Sequence, residues 1–421
     1  MKRSSSIIIL LLLSLIICSQ SVAWLYPEHR DISAHAIQDL DPRYRAILDN
    51  LWLEARMGYE YRLSESVVDP TLGFIDYAAW PAIAGDHSCS SQKMLYNVLK
   101  TDWILEVSKI AAELKIDLSE ATNRHNHINA VRDSDIKFQK ADPFYATRAG
   151  SNNVHFLLAR PETHTSSSKY GNMCIAEGGE LNAIGAYAWF HASALEKATR
   201  LSNESLSQEQ RSQLALSVLA DEAFALHFLQ DIFASGHVAG TWGDASQRKG
   251  THDYYNENGL EVTTWDGKRF ILMGDAWISP GDIDIAAESI RKSIEQILDI
   301  ITGTEAVKNR QPDFWQADSF NVCKENYWPH RDVDSQLWPI MRDVLISTPV
   351  PGLATGHGSL PRFKTELGPF IGVVPSVKGI GVARGFGSTE VEPGGTGSIE
   401  MAIRIGVGLE GVLNESGDGL V

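Results

Sequence analysis

Beyond its first two dozen residues this chain contains no apolar run long enough to span a bilayer, so no transmembrane helix is expected in the mature protein. It is short of positive charge: 37 Lys and Arg stand against 53 Asp and Glu, a net charge of −16. A long nucleic acid is held by clustered Lys and Arg, so that class of partner is not expected. Cysteine is scarce, with four in 421 residues, which excludes a disulfide-built scaffold. No internal repeat, no low-complexity run and no Gly-rich phosphate loop of the Walker type is present. At 43% hydrophobic and 21% charged, the composition suits a folded protein of one large domain or two ordinary ones.

The amino terminus reads as an export signal. Lys2 and Arg3 form a basic start, and Ile7 to Ile17 is apolar except for Ser14. Ser21-Val22-Ala23 then supplies the small residues that a signal peptidase reads. Residues 1–23 are therefore assigned as a signal peptide cleaved after Ala23, and the protein as secreted, periplasmic or cell-surface. A lipid-anchored reading would use Cys18, but the bulky Ile17 precedes it. Cys89, Cys174 and Cys323 remain after cleavage. A disulfide between Cys89 and Cys174 is expected, since both sit in polar loop sequence; three buried free thiols are the alternative.

From Trp24 to about Leu345 the pattern is mostly helical. Ile32 to Leu53, Ser90 to Leu114, Gly179 to Leu201, Ser207 to Ser235 and Ile283 to Ile301 carry apolar residues at helix spacing. Ser207 with Gln210 forms a capping-box pattern, and Pro280 or Asp282 marks the start of the last helix. Val262 to Leu272 reads as a hairpin turning at Asp266-Gly267. Pro349 to Pro361 is linker-like. Gly379 to Phe386 and Ile399 to Val412 alternate with strand period, ending in a turn at Asn414 to Gly419, and resemble strands without partners. The expected organisation is a mainly α domain over residues 24–348, then a Pro/Gly linker and a small Gly-rich β segment over 349–421.

The strongest chemical signal is Leu226-His227-Phe228-Leu229-Gln230-Asp231-Ile232-Phe233-Ala234-Ser235-Gly236-His237. His227 and Asp231 are four apart and project from one helical face. The helix around them is apolar, where an uncompensated imidazole and carboxylate would be costly, and a shared metal ion removes that cost. Gly236 is expected to end the helix and turn His237 toward the same centre. A second signal is Trp24-Leu25-Tyr26-Pro27-Glu28-His29. Cleavage after Ala23 would free the α-amine of Trp24, whose pKa near 8 permits zinc binding at little proton cost.

A mature terminal Trp-x4-His, a later Asp, a His-Phe pair, His-x3-Asp-x5-His and a further His together resemble the superfamily of zinc-dependent phospholipases C and single-strand nucleases. The resemblance runs from Trp24 to about Asn256. It implies a multi-helix domain holding two to three zinc ions in a cleft. It assigns Trp24, through amine and carbonyl, and His29 to one zinc, with His35 a rival to His29. Asp231 would bridge two zincs, and His227, His155 and Asp86 would complete a buried site, with Asp76 the alternative to Asp86. His237 and His252 would bind a further zinc. The chain departs from the pattern where a carboxylate is expected four residues after that last His, because position 256 is Asn256. Either Asn256 coordinates through its amide oxygen, or Glu257 or Asp253 replaces it, or that zinc is labile. His87, His125, His127 and His164 are left out of the set, and Tyr254, Tyr255 and Trp242 are aromatic residues near it.

The implied activity is hydrolysis of phosphate esters, with Asp86 the catalytic base toward water. A phospholipase C acting on phospholipid at a membrane surface is the first expectation, and the acidic chain fits it. A single-strand nuclease or 3′-nucleotidase on the same zincs is the second. A secreted zinc-binding surface protein without catalysis, anchored by its carboxy-terminal strands, is the third.

Overall fold

A computed structural model describes residues 24–145, 148, 153–239, 252, 255–303, 317–329 and 342–352, together with the backbone of strands within 362–420. The expected signal peptide over residues 1–23, Trp242, Asp253, Tyr254, residues 353–361 of the expected linker and the expected turn at 414–418 lie outside the described residues.

The described body is mainly helical. Helix α1 (Tyr26–Gln38) is started by Glu28, whose carboxylate accepts from Leu25 N at 2.8 Å. Helix α2 (Pro42–Ala55) begins at Pro42 behind the cap Asp41, which accepts from Arg43 N at 2.9 Å. The single helix expected from Ile32 to Leu53 is therefore two. Proline has no N–H to continue α1 but suits the first turn of α2. Ser90 to Leu114 likewise divides into α4 (Ser91–Lys100) and α5 (Trp103–Glu120), after the one-turn helix α3 (Trp80–Ile83). Helix α6 (Arg124–Ala141) leaves no clear apolar stripe in the sequence, because it buries only Ser134, Asp135 and Phe138.

Short α7 (Ser167–Cys174) and long α8 (Ala183–Asn203) lead to the centre of the fold, α9 (Gln208–Asp231). The capping box at Ser207 and Gln210 is formed. From Val218 onward the helix has no solvent face: Val218 through Asp231 are all buried, and α1, α2, α3, α4, α8 and α11 (Pro280–Ile301) pack around it. A helix enclosed on every side carries apolar residues all round, so any polar group on it must find its partner inside. The helix stops at Asp231, earlier than expected, and the chain turns into α10 (Ser235–Ala239).

The expected hairpin is present: β1 (Leu260–Thr263) pairs antiparallel with β2 (Arg269–Leu272), and Gly267 takes the positive φ of the turn, 87°. Helix α11 starts behind Ser279, with Pro280 in its first turn and Asp282 completing a capping box. No helix among the described residues is long and apolar enough to cross a membrane.

The carboxy-terminal strands do find partners. β3 (Arg362–Val374) pairs antiparallel along its length with β6 (Ser398–Leu413), which also meets β7 (Gly419–Leu420). β4 (Gly381–Ala383) pairs with β5 (Thr389–Val391). The β3 segment is hidden in the sequence because Gly368-Pro369 interrupts it, and proline usually argues against a strand interior. The disulfide also differs from expectation. Cys89 joins Cys323, 234 residues away, while Cys174 is a buried free thiol within α7.

Candidate metal centre

The site forms where the end of α9 meets the start of α1, the α3 turn and the segment at His155. His227 and Asp231 do project from one face of α9, with His227 Nε2 3.3 Å from Asp231 Oδ2. His155 Nδ1 lies 2.7 Å from the same oxygen and 3.2 Å from His227 Nε2. His29 reaches the other carboxylate oxygen, Nε2 to Oδ1 at 3.6 Å, and its ring stacks on His227 at 4.5 Å. Asp86 closes the group, its Oδ1 3.9 Å from His227 Nε2. All five side chains are buried. They form two sets of potential metal ligands that share His227: His29, His227 and Asp231, and Asp86, His155 and His227.

Neighbouring groups fix how the imidazoles face. His227 Nδ1 donates to the carbonyl of Pro81 at 2.9 Å, which leaves Nε2 as the lone pair turned toward the carboxylates. His29 Nδ1 lies 2.6 Å from Gln230 Oε1, and the Gln230 amide donates to Ser33 Oγ at 2.6 Å. That chain presents His29 Nε2 to the centre. An outer partner that holds one ring nitrogen so that the other can ligate is the usual support of a metal-binding histidine.

Backbone geometry brings Asp86 in. Gly85 has φ of 56°, and a Cβ there would collide with the His227 ring. Only glycine lets the α3 turn lie against that imidazole and deliver the next residue. Asp76, the alternative, is already committed: it pairs with Arg30 at 2.5 Å and caps Tyr77–Ala79 by accepting from Ala79 N at 3.0 Å.

Trp24 is wholly buried, and its indole Nε1 donates to the carbonyl of Gln230 at 2.9 Å. The start of the described chain is thus seated beside Asp231. His237 and His252 extend the site on the far side of His155. The His237 ring lies 6.2 Å from that of His155 and 5.3 Å from that of His252, with Phe156 against both. Asn256 sits behind His252, its Nδ2 3.1 Å from Nε2. Its oxygen accepts from Gly236 N at 2.7 Å and from Ser235 Oγ at 3.3 Å. Gly236 therefore does not end a helix; it lies inside α10, where a Cβ would come within 2.6 Å of that amide oxygen. Glu257 points elsewhere, paired with Arg124.

The remaining histidines have other tasks. His35 faces Asp39 and Asp284 at the surface. His87 is buried against Asp142 at 3.0 Å. His127 lies 2.5 Å from the carbonyl of Ala276, while His125 and His164 are exposed. Three contributors do not stand out in the sequence: Gln230, Glu28 and Gly85. Gln230 has one signal, as the polar neighbour of Asp231 in an apolar helix.

Electrostatics support a cation. Burial pushes the Asp231 carboxyl well above the ordinary range. Burial also raises Asp86 to about 8, with Asp231 adding to the effect against the opposing pull of His155. His29 is lowered to about 3 by burial, and His227 is held well below the ordinary imidazole range by burial and the neighbouring His29 and His155. Carboxylates that resist ionising beside imidazoles that resist protonating lack a positive charge, which a dication supplies. Among the described residues, His29 Nε2 and Asp231 Oδ1 have no hydrogen-bond partner despite complete burial. The ligand types and these unmet atoms fit a metal ion. Comparison with known proteins brings no match: no family model, no curated protein and no solved structure is significantly similar to this chain.

Proposed function

We propose that the chain is a secreted zinc-dependent hydrolase of phosphate esters, akin to the zinc phospholipases C and single-strand nucleases, and that its substrate is a phospholipid. The observation that carries the reading is the meeting of His29, His155 and His227 on the buried Asp231 carboxylate, with Asp86 facing His227, from four separate stretches of sequence. Nitrogen and oxygen ligands of this kind suit zinc. Two zincs would be held by Asp231 with His29 and Trp24 on one side, and with His227, His155 and Asp86 on the other. His237 and His252 are the donors for a third.

Zinc so held would supply Lewis acidity toward a phosphoryl oxygen and bring a water's pKa near neutrality. The chain's own residues do the rest. Pro81 and Gln230 hold the imidazoles of His227 and His29 in one orientation, so the site is assembled before substrate arrives. Asp86, anchored by the Gly85 turn, takes the proton of the attacking water. The net charge of −16 disfavours a long polyanion as substrate and favours a lipid headgroup. The nuclease reading keeps the same ligands and would act on short single strands.

The test is to incubate the zinc-loaded chain beginning at Trp24 with phosphatidylcholine and, separately, with single-stranded DNA. Diacylglycerol with phosphocholine supports the proposal, and nucleotides support the nuclease. Bound zinc without turnover of either would make the protein a zinc-binding surface protein.

A further inference from the structure

The long strand pair of the carboxy-terminal segment sorts its residues by chemistry. β3 and β6 are 13 and 16 residues long, whereas strands of globular proteins usually run about 3–10. Their antiparallel register is continuous from Arg362–Glu410 to Val374–Ser398. Successive residues of a strand belong to opposite faces, so this register fixes which residues share a face.

One face holds Phe363 opposite Leu409, Leu367 opposite Ile405 and Ile371 opposite Met401. Every odd-numbered position from 363 to 373 and from 399 to 409 falls on it, and Thr365 alone among them is not apolar. The other face carries all the charge of the two strands. Its cations are Arg362, Lys364 and Arg404, and its anions are Glu366, Glu400 and Glu410, so they cancel. Two of these stand opposite glycine, Arg404 at Gly368 and Glu400 at Gly372.

Among the described elements no helix packs extensively along β3 or β6; besides each other, the two strands meet β4 and β7. The apolar face is therefore not spent on the helical body. An unbroken apolar surface of this kind marks a partner or a membrane. Its length distinguishes the two. The stretch from 363 to 373 extends about 36 Å as a strand, or about 25 Å when tilted by ~45°, which is the height of the apolar band of a sheet standing in a bilayer. A second copy or a globular partner would be served by a face of any length, and usual strands provide about half of this one. The charge of the chain selects the lipid. A net charge of −16 is repelled by an anionic surface, and the balanced charges of the ribbon do not offset it. A zwitterionic surface imposes no such repulsion.

We infer that the odd-numbered face of the β3–β6 ribbon is a lipid-contacting surface that seats the protein in a zwitterionic bilayer. Hydrocarbon tolerates no unpaired backbone N–H or C=O, so the seated ribbon belongs to a sheet closed by further strands along its outer edges. The seat uses no residue of the zinc centre, and it stands or falls separately from the zinc-hydrolase reading.

Flotation of the full zinc-loaded chain with phosphatidylcholine vesicles, in the cold to slow any turnover, tests the assignment. The native chain should float with the vesicles, and Asp231→Asn should float equally. Ile405→Lys sets a charge in the middle of the apolar face and should weaken vesicle binding roughly a hundredfold. Arg404→Gln, next to it in the chain but on the opposite face, should float as the native chain does. Circular dichroism and zinc content report whether each variant is folded. Should Ile405→Lys fail to fold, the pair Ile403→Thr and Ile405→Thr keeps β-branched residues and should weaken binding about tenfold. A native chain that does not float with phosphatidylcholine overturns the inference, as do apolar-face variants that float as well as it does. A lipid-free dimer that Ile405→Lys dissociates also overturns it, because a second copy then covers the face. Tighter binding to vesicles rich in phosphatidylserine overturns the assignment to zwitterionic lipid.

Discussion

Helix α9 carries two buried polar clusters, a few turns apart, and they are built on opposite principles. Upstream, Asp221 accepts from Ser91 and Ser193 hydroxyls at 2.5 Å each and pairs with Lys197 at 2.6 Å. Its neighbour Glu222 takes Ser293 at 2.6 Å and His191 Nδ1 at 2.7 Å, while His191 Nε2 lies 2.9 Å from Gln296 Oε1. Downstream, Asp231 is surrounded by imidazole nitrogens, and its Oδ1 has no hydrogen bond among the described residues. The upstream carboxylates are met by hydroxyls and an ammonium and hold helices together. The downstream one has one hydrogen bond, from His155 Nδ1 to Oδ2, and a buried Oδ1 with no donor, an arrangement that costs stability unless a cation joins it. A buried acid beside a histidine is thus not a functional signal by itself; what decides is whether donors already satisfy it.

The sharpest way to break this contrast is Asp231→Asn. It should remove most bound zinc, by elemental analysis, and lower phosphodiester turnover by about 10²–10³, the usual loss when one electrostatic contact of a reacting centre goes. Retention of metal and rate would mean the two clusters are alike. Next comes the amino terminus. A chain with one Met before Trp24 should fold normally by circular dichroism but bind one zinc fewer, with a rate about 10²-fold lower. The lone pair of a peptide-bonded nitrogen is delocalised into its carbonyl and is not basic enough to bind zinc. Equal zinc and equal rate in the two forms would make Trp24 an ordinary packed residue.

The upstream cluster should respond in stability instead. His191→Ala removes the imidazole beside Glu222 and should cost about 3 kcal/mol, read from denaturant unfolding, with zinc content unchanged. Loss of zinc there would show that the two clusters communicate along α9. The mildest change is Ser207→Ala at the far end of the same helix. Losing the cap should cost about 1 kcal/mol and leave both zinc content and turnover as they were.

How much of this is legible in the sequence follows from the range of each interaction. His227, Asp231 and His237 lie close together in the chain, and the four-residue spacing on an apolar helix is a local statement of a shared face. The helix starts at Ser207 and Ser279 and the Asp266-Gly267 hairpin are equally local, since caps and turns are decided by side chains a few residues apart. Helix α6 escapes because its buried stripe is limited to Ser134, Asp135 and Phe138. Strand β3 escapes because its pairing with β6 outweighs the Gly368-Pro369 break, and the energy of that pairing resides in the partner. The disulfide between Cys89 and Cys323 escapes because nothing local distinguishes it from one to Cys174.

The order of chemistry-bearing residues, the helical period around them and the acidic balance of the chain are properties of sequence alone, and with the family resemblance they suffice to nominate His29, Asp86, His155, His227 and Asp231. That the three histidines among these meet on Asp231 with Asp86 facing His227, that Asp76 is spent on Arg30 while Gly85 admits Asp86, and that Asp275 rather than Glu257 faces His252 are decisions of tertiary structure. Each depends on groups well separated along the chain coming within a few ångströms, and burial at that distance leaves no mark on the local pattern.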